Sequence, residues 1–201
     1  SNQARFRISR KTSDQTLDSY NPFLRDIADT SLISYASTVR NTLFFNRTNS
    51  IFGADYTYSE VGSKILLANG FDGRLNNFHQ INLRWNIKKK FTLTNTSEVG
   101  TRSSSADYTT GRDYKINYYK IQPSFIFQPN TKFRVSLDLR WEDKENSPDF
   151  GGELAEIRDV GVQFKFNQAQ QGSLQGGINA VNIVYDGVQN NALSFEMLES
   201  L

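Results

Sequence analysis

Three features predict an all-β fold: apolar and polar residues alternate strictly, aromatics bracket the apolar stripes, and short connections alternate with long ones. Together they specify an antiparallel up-and-down meander forming part of a transmembrane β-barrel, with short periplasmic turns and long outer loops. The clearest stripe runs from Phe133 to Trp141, where Phe133, Val135, Leu137, Leu139 and Trp141 share one face. Arg134, Ser136, Asp138 and Arg140 share the other. Inclined by roughly 40°, such a strand spans about 23 Å, the height of the lipid-facing band of an outer-membrane barrel.

The whole chain, 1–201, reads as one barrel segment with strands near 4–10, 33–45, 51–59, 78–87, 91–101, 115–128, 132–142, 157–167, 173–185 and 192–201. The first, Arg5 to Arg10, alternates like the remnant of a strand, and the polar stretch from Lys11 to Thr30 follows as an outer loop. Tyr35 to Phe45 and Phe52 to Tyr58 turn at Asn46 to Asn49, with Leu43, Val39, Phe52, Ala54, Tyr56 and Tyr58 outward. In that pair Asn41 falls outside and Phe44 inside. His79 to Ile87 folds on Phe91 to Val99 about Lys88 to Lys90, setting Ile87 against Phe91, Trp85 against Leu93 and His79 against Val99.

The next pair folds about Pro129-Asn130-Thr131 and matches Phe127 with Phe133, Phe125 with Val135, Ile121 with Leu139 and Tyr119 with Trp141. This register sets Lys120 opposite Arg140, a clash relieved only by water and the diagonal Asp138. Val160, Val162, Phe164 and Phe166 turn at Gln168 to Gln171 into Leu174, Gly176, Ile178 and Ala180. A last strand starts at Leu193, Phe195 and Met197.

The resulting belt holds Trp85, Phe91, Ile121, Phe125, Phe127, Phe133, Val135, Leu137, Leu139, Trp141 and Phe164 toward lipid. Arg84, Glu98, Lys120, Asp138 and Arg140 face the lumen with Arg40, Asp55 and Lys165, a mixed set that suits a watery interior or a salt-bridge network. Short turns near Asn46, Lys89, Asn130 and Ala169 recur about every forty residues, while Glu60 to Asn77, Arg102 to Asp113, Glu142 to Ala155 and Asp186 to Asn191 form the long connections. Phenylalanines and Trp85 mark the short-turn rim, and Tyr35, Tyr58, Tyr119, Trp141 and Tyr185 the other.

Composition narrows the function. At 37% hydrophobic residues, no run approaches the roughly eighteen apolar residues of a membrane helix, whereas a barrel exposes only every second residue to lipid. Absence of cysteine removes disulfides and thiol chemistry, and a formal charge of +2 gives no nucleic-acid surface. The single His79 has Ser97 diagonally across the neighbouring strand, the only pair with the makings of a nucleophile and base; as an aromatic-belt residue it needs no catalytic role. Glu142 to Glu153 has carboxylates suited to calcium, but its spacing departs from a calcium loop and Lys144 sits among the acids, favouring a solvated loop. Gly100 to Gly111 reads as a flexible loop, since no helix follows to cradle phosphate. Asn46 and Asn95 open glycosylation patterns placed in a tight turn and a strand interior, poor acceptor sites. Lys88 to Lys90 is a charged turn tip that also suits anionic headgroups or a periplasmic partner.

Val39 to Asn49, Leu67 to Arg74, Leu83 to Ile87 and Leu193 to Ser200 resemble the C-terminal membrane region of large Bacteroidetes outer-membrane proteins. The resemblance implies further strands and a large preceding region; its motifs are structural, carry no known catalytic role and supply no function of their own. The expected function is therefore an outer-membrane barrel segment acting passively as a pore, an anchor or part of a surface complex. Its partners are the lipid bilayer and further strands of the same protein or other outer-membrane subunits, with no cofactor and no metal. The alternative is a soluble all-β domain that binds glycans or a protein through Trp85, Trp141 and its tyrosines, its apolar faces packed on each other.

Overall fold

The computed structural model describes residues 2–10, 32–88, 90–107, 113–168 and 172–187. These form β1 (Asn2–Arg10), β2 (Leu32–Phe45), β3 (Phe52–Leu67), β4 (Gly70–Ile87), β5 (Phe91–Ala106), β6 (Tyr114–Phe127), β7 (Phe133–Asn146), β8 (Leu154–Gln168) and β9 (Gly172–Asp186), with one 3-10 turn at Pro148–Phe150. All nine strands lie in one antiparallel sheet in chain order, an up-and-down meander. The strand expected at 192–201, the loop from Lys11 to Thr30 and the turn residues Ala169 to Gln171 lie outside the described residues.

Three of the four hairpin registers follow directly from the apolar pattern. Ile87 faces Phe91 and His79 faces Val99; Phe45 faces Ala54, Asn41 faces Tyr58 and Phe44 faces Asp55; Phe166 faces Leu174 and Val160 faces Ala180. The β6–β7 hairpin corrects expectation by two residues. Phe127 pairs with Val135, Phe125 with Leu137 and Ile121 with Trp141. The Asn130 side chain accepts from the backbone N–H groups of Lys132 and Phe133, both at 2.9 Å, folding Lys132 into the turn and lengthening it. A shift of two preserves both faces, because side chains repeat with that period. It also removes the Lys120–Arg140 clash: Lys120 lies opposite Glu142 instead.

The second correction concerns the long connections. β3 and β4 continue to a tight turn at Ala68-Asn69, where Leu67 pairs with Gly70, so most of the stretch from Glu60 to Asn77 is strand. Gly70 adopts φ 134°, a conformation that a side chain resists. β5 likewise runs to Ala106 and β7 to Asn146, leaving Ser147 to Glu153 as the connection to β8. That connection is solvated along Pro148 to Gly152, as expected, but its two ends are tied down. Fully buried Asn146 accepts from the Lys115 N–H at 3.1 Å and donates to the Phe150 carbonyl at 2.8 Å and to the buried Glu153 carboxylate at 2.7 Å. Gly100, expected in a loop, sits inside β5 between Phe78 and Tyr118, and an added Cβ would come within 2.8 Å of Phe78 Cβ. The missing side chain lets both aromatics lean over the strand.

Candidate functional site

The register brings all eleven belt residues to one face. A single row crosses β3 to β9 as Phe52, Trp85, Leu93, Phe125, Leu137, Val162 and Ile178. Phe91, Phe127, Val135 and Phe164 form a parallel row, with Phe91 and Phe127 stacked at 4.6 Å between ring centroids. Ile121 faces Trp141, Leu139 faces Val160 and Phe133 faces Phe166. This face is open: Ile178 is 80% exposed, and Trp85, Phe91, Phe125, Trp141 and Phe164 are exposed as well. Ordinary cores invert this arrangement.

The apolar stripe stops on the same strands that continue. Beyond Tyr58 the outward positions of β3 become Glu60, Gly62, Lys64 and Leu66, while Val61, Ile65 and Leu67 lie on the other face. On β8 the outward positions beyond Val160 become Arg158 and Glu156, and the buried Ile157 and Ala155 point inward. Asp143, outward on β7 past Trp141, pairs with Arg158 at 2.5 Å. Period-2 geometry persists through the boundary; the polarity changes phase on β8, whereas β4 keeps Leu75 and Phe71 at outward positions.

The belt is also inclined to the strands. The row through Phe52 crosses β8 at Val162, yet the stripe on β8 continues four residues further, to Phe166; the row through Tyr58 crosses β8 at Glu156, yet the stripe stops four residues earlier, at Val160. Both margins are displaced equally and in the same direction. Four residues along the strand over five inter-strand spacings correspond to a tilt of about 30°, near the tilt of membrane barrel strands.

The opposite face gathers the expected charges and adds two the sequence analysis missed. Lys120 Nζ lies 3.6 Å from Glu98 Oε2, and the Tyr118 hydroxyl donates to Glu98 Oε1 at 2.8 Å. Glu142 takes a 2.8 Å hydrogen bond from Arg140 Nε, a second from its terminal nitrogen, and an ion pair with Lys144 at 3.4 Å. Glu142 and Lys144 are 6% and 5% exposed. Arg84 donates to the Asn49 carbonyl at 2.8 Å. Above this network Ile116, Tyr118, Ala155 and Ile157 are buried. Below it lies a hollow of about 1030 Å³ whose lining includes Asp138. Glu142 and Lys144 were legible, since with Asn146 they extend the inward parity of Arg140, but their charge made the segment read as a loop.

His79 and Ser97 do not meet. His79 Nδ1 lies 2.7 Å from the Tyr56 hydroxyl and its ring packs on Tyr56 and Tyr58, toward β3. Ser97, on β5, faces Ile81 and accepts from Asn95 Nδ2 at 2.8 Å. The acidic loop gathers no three-ligand metal cluster among the described residues, because Glu142 is held by Arg140 and Lys144 and Glu153 by Asn146. Among those residues no helix is long and apolar enough to cross a membrane, which leaves crossing by strands untouched. Compared with protein families, with characterised proteins and with solved structures, the chain finds no match.

Proposed function

We propose that this chain is a segment of an outer-membrane β-barrel with a passive role, as a pore wall or as the anchor of a surface complex. The carrying observation is the inclined apolar belt, whose two margins shift together by four residues between β3 and β8. A band of constant height cut across tilted strands is what a lipid slab demands of a sheet. A sandwich would instead pack its apolar faces against each other, and the described strands form one sheet with that face exposed. In this reading the edges at β1 and β9 pair with further strands of the same protein or with other outer-membrane subunits, since open edges in hydrocarbon leave backbone groups unsatisfied. The Bacteroidetes resemblance points the same way. Lys88, held at φ 51°, and Lys90 then meet anionic headgroups or a periplasmic partner at the short-turn rim.

The test is folding into lipid or detergent micelles. Leu137→Arg, at mid-belt, is expected to destabilise the folded state by about 2–4 kcal/mol, while Thr96→Arg, on the opposite face two residues from Glu98, changes it by less than about 1 kcal/mol. Equal effects, or a chain that stays folded and monodisperse without detergent, would reject the membrane assignment in favour of a soluble domain.

A further inference from the structure

The hollow on the polar face contains an electrostatic anomaly. Arg134 on β7 and Lys165 on β8 lie directly opposite each other. Both side chains are exposed into the hollow they line. Like charges in directly opposed positions destabilise a sheet, so such a pair ordinarily has a neighbouring carboxylate. Among the described residues none is in reach. The next strand offers Gln175 opposite Lys165, and the adjacent inward row pairs Ser136 with Gln163. The acids of the hollow, Asp138 and Asp159, stand four and six positions from Arg134 and Lys165 along their strands, roughly 13 and 20 Å away. Elsewhere on this face the cations Lys120, Arg140 and Lys144 are each matched to Glu98 or Glu142. Arg84 is held by the Asn49 carbonyl instead, whereas Arg134 and Lys165 stand opposite each other with neither kind of partner among the described residues.

The surroundings are those of a ligand site. Gly161 and Gly177 occupy inward positions without side chains and leave the floor open, and Gln122, Ser124, Gln163 and Asn179 line it with neutral hydrogen-bonding groups. A volume of about 1030 Å³ lies at the upper end of small-molecule sites.

We infer that this hollow is an oxyanion-binding site in which Arg134 and Lys165 clamp a phosphate, sulfate or carboxylate group of a hydrophilic solute. Two converging cations give such a group charge-assisted hydrogen bonds and cancel the repulsion the empty sheet carries. The inference uses only the geometry of the polar face and holds whether the apolar face meets lipid or not.

Calorimetric titration of the full chain with inorganic pyrophosphate, in a detergent without net charge and at low salt, tests it. Saturable binding is expected, and Arg134→Gln and Lys165→Gln each weaken it about tenfold or more. Arg134→Glu, which supplies Lys165 with an internal counter-charge, abolishes binding and raises the thermal midpoint, separating loss of the site from loss of the fold. Absence of saturable binding by the unaltered chain up to about 10 mM, in the millimolar range of weak ligands, overturns the inference. So does a double Gln variant that binds pyrophosphate normally, or a fall in thermal midpoint for all three single variants.

Discussion

Glu142 shows how one side chain organises a polar interior. It receives Arg140 and Lys144 at once while 6% exposed, so its charge is the one against which two cations are held out of bulk water. Glu142→Gln is expected to lower stability by about 3–5 kcal/mol, because it leaves the buried Lys144 ammonium without a counter-charge. Adding Lys144→Met should restore a large part of the loss, and chemical unfolding of both variants in detergent measures it. The role was hidden in the sequence for a physical reason: Glu142-Asp143-Lys144-Glu145 contains no apolar residue, so hydropathy alternation vanishes while the strand geometry continues. His79 was misleading in the opposite sense. A lone histidine near a serine suggests chemistry, but its ring stacks on Tyr56 and packs at a tilt against Tyr58, and its Nδ1 is engaged by Tyr56.

Hairpins differ in how well their sequences fix the register. About Lys88 to Lys90 a short turn leaves one alignment, and Ile87 against Phe91 follows. About Pro129 and Asn130, two registers differing by two residues bury the same faces equally well, so the apolar pattern has no power to choose between them. Charge does. The shorter register sets Lys120 against Arg140, whereas the observed one sets Lys120 against Glu142 and lets Asn130 cap the longer turn. Paired cysteines at Ser124 and Asp138, which lie opposite each other, are expected to crosslink on mild oxidation. Cysteines at Ser124 and Ser136 should stay reduced, because the diagonal separation exceeds the reach of a disulfide. A gel-shift comparison of the two variants distinguishes the registers.

At the scale of the molecule, the order of strands and the division into two faces were legible throughout, because every second residue of the hairpins reports its side. The extent of the strands was not, since outside the belt neither face has to be apolar and the alternation inverts or fades, as from Glu60 to Leu67. In the proposed membrane reading the strands extend past the belt on the Asn69 side, so the Asn69 turn and the Pro148–Phe150 segment would lie outside the cell and the Thr131 turn in the periplasm. Single cysteines at the exposed Asn69 and Asp149 should react with an impermeant maleimide on intact cells, and one at Thr131 only after the membrane is opened. The reverse pattern would invert the orientation.

The length of the central hairpin has its own consequence. β4 contains 18 residues and β3 contains 16. At roughly 3.3 Å per residue and the inclination of the belt, such a ladder rises about 50 Å, twice the height of the lipid band. Because the apolar stripe begins beside the Ile87 turn, nearly all of the surplus stands on one side of the bilayer. In a membrane, a hydrogen-bonded ribbon about 25 Å tall would thus carry the Ala68-Asn69 crest clear of the headgroups. The turn at Ala68-Asn69 would then stand at the end of a stiff ridge of defined shape, held by cross-strand pairing all the way down.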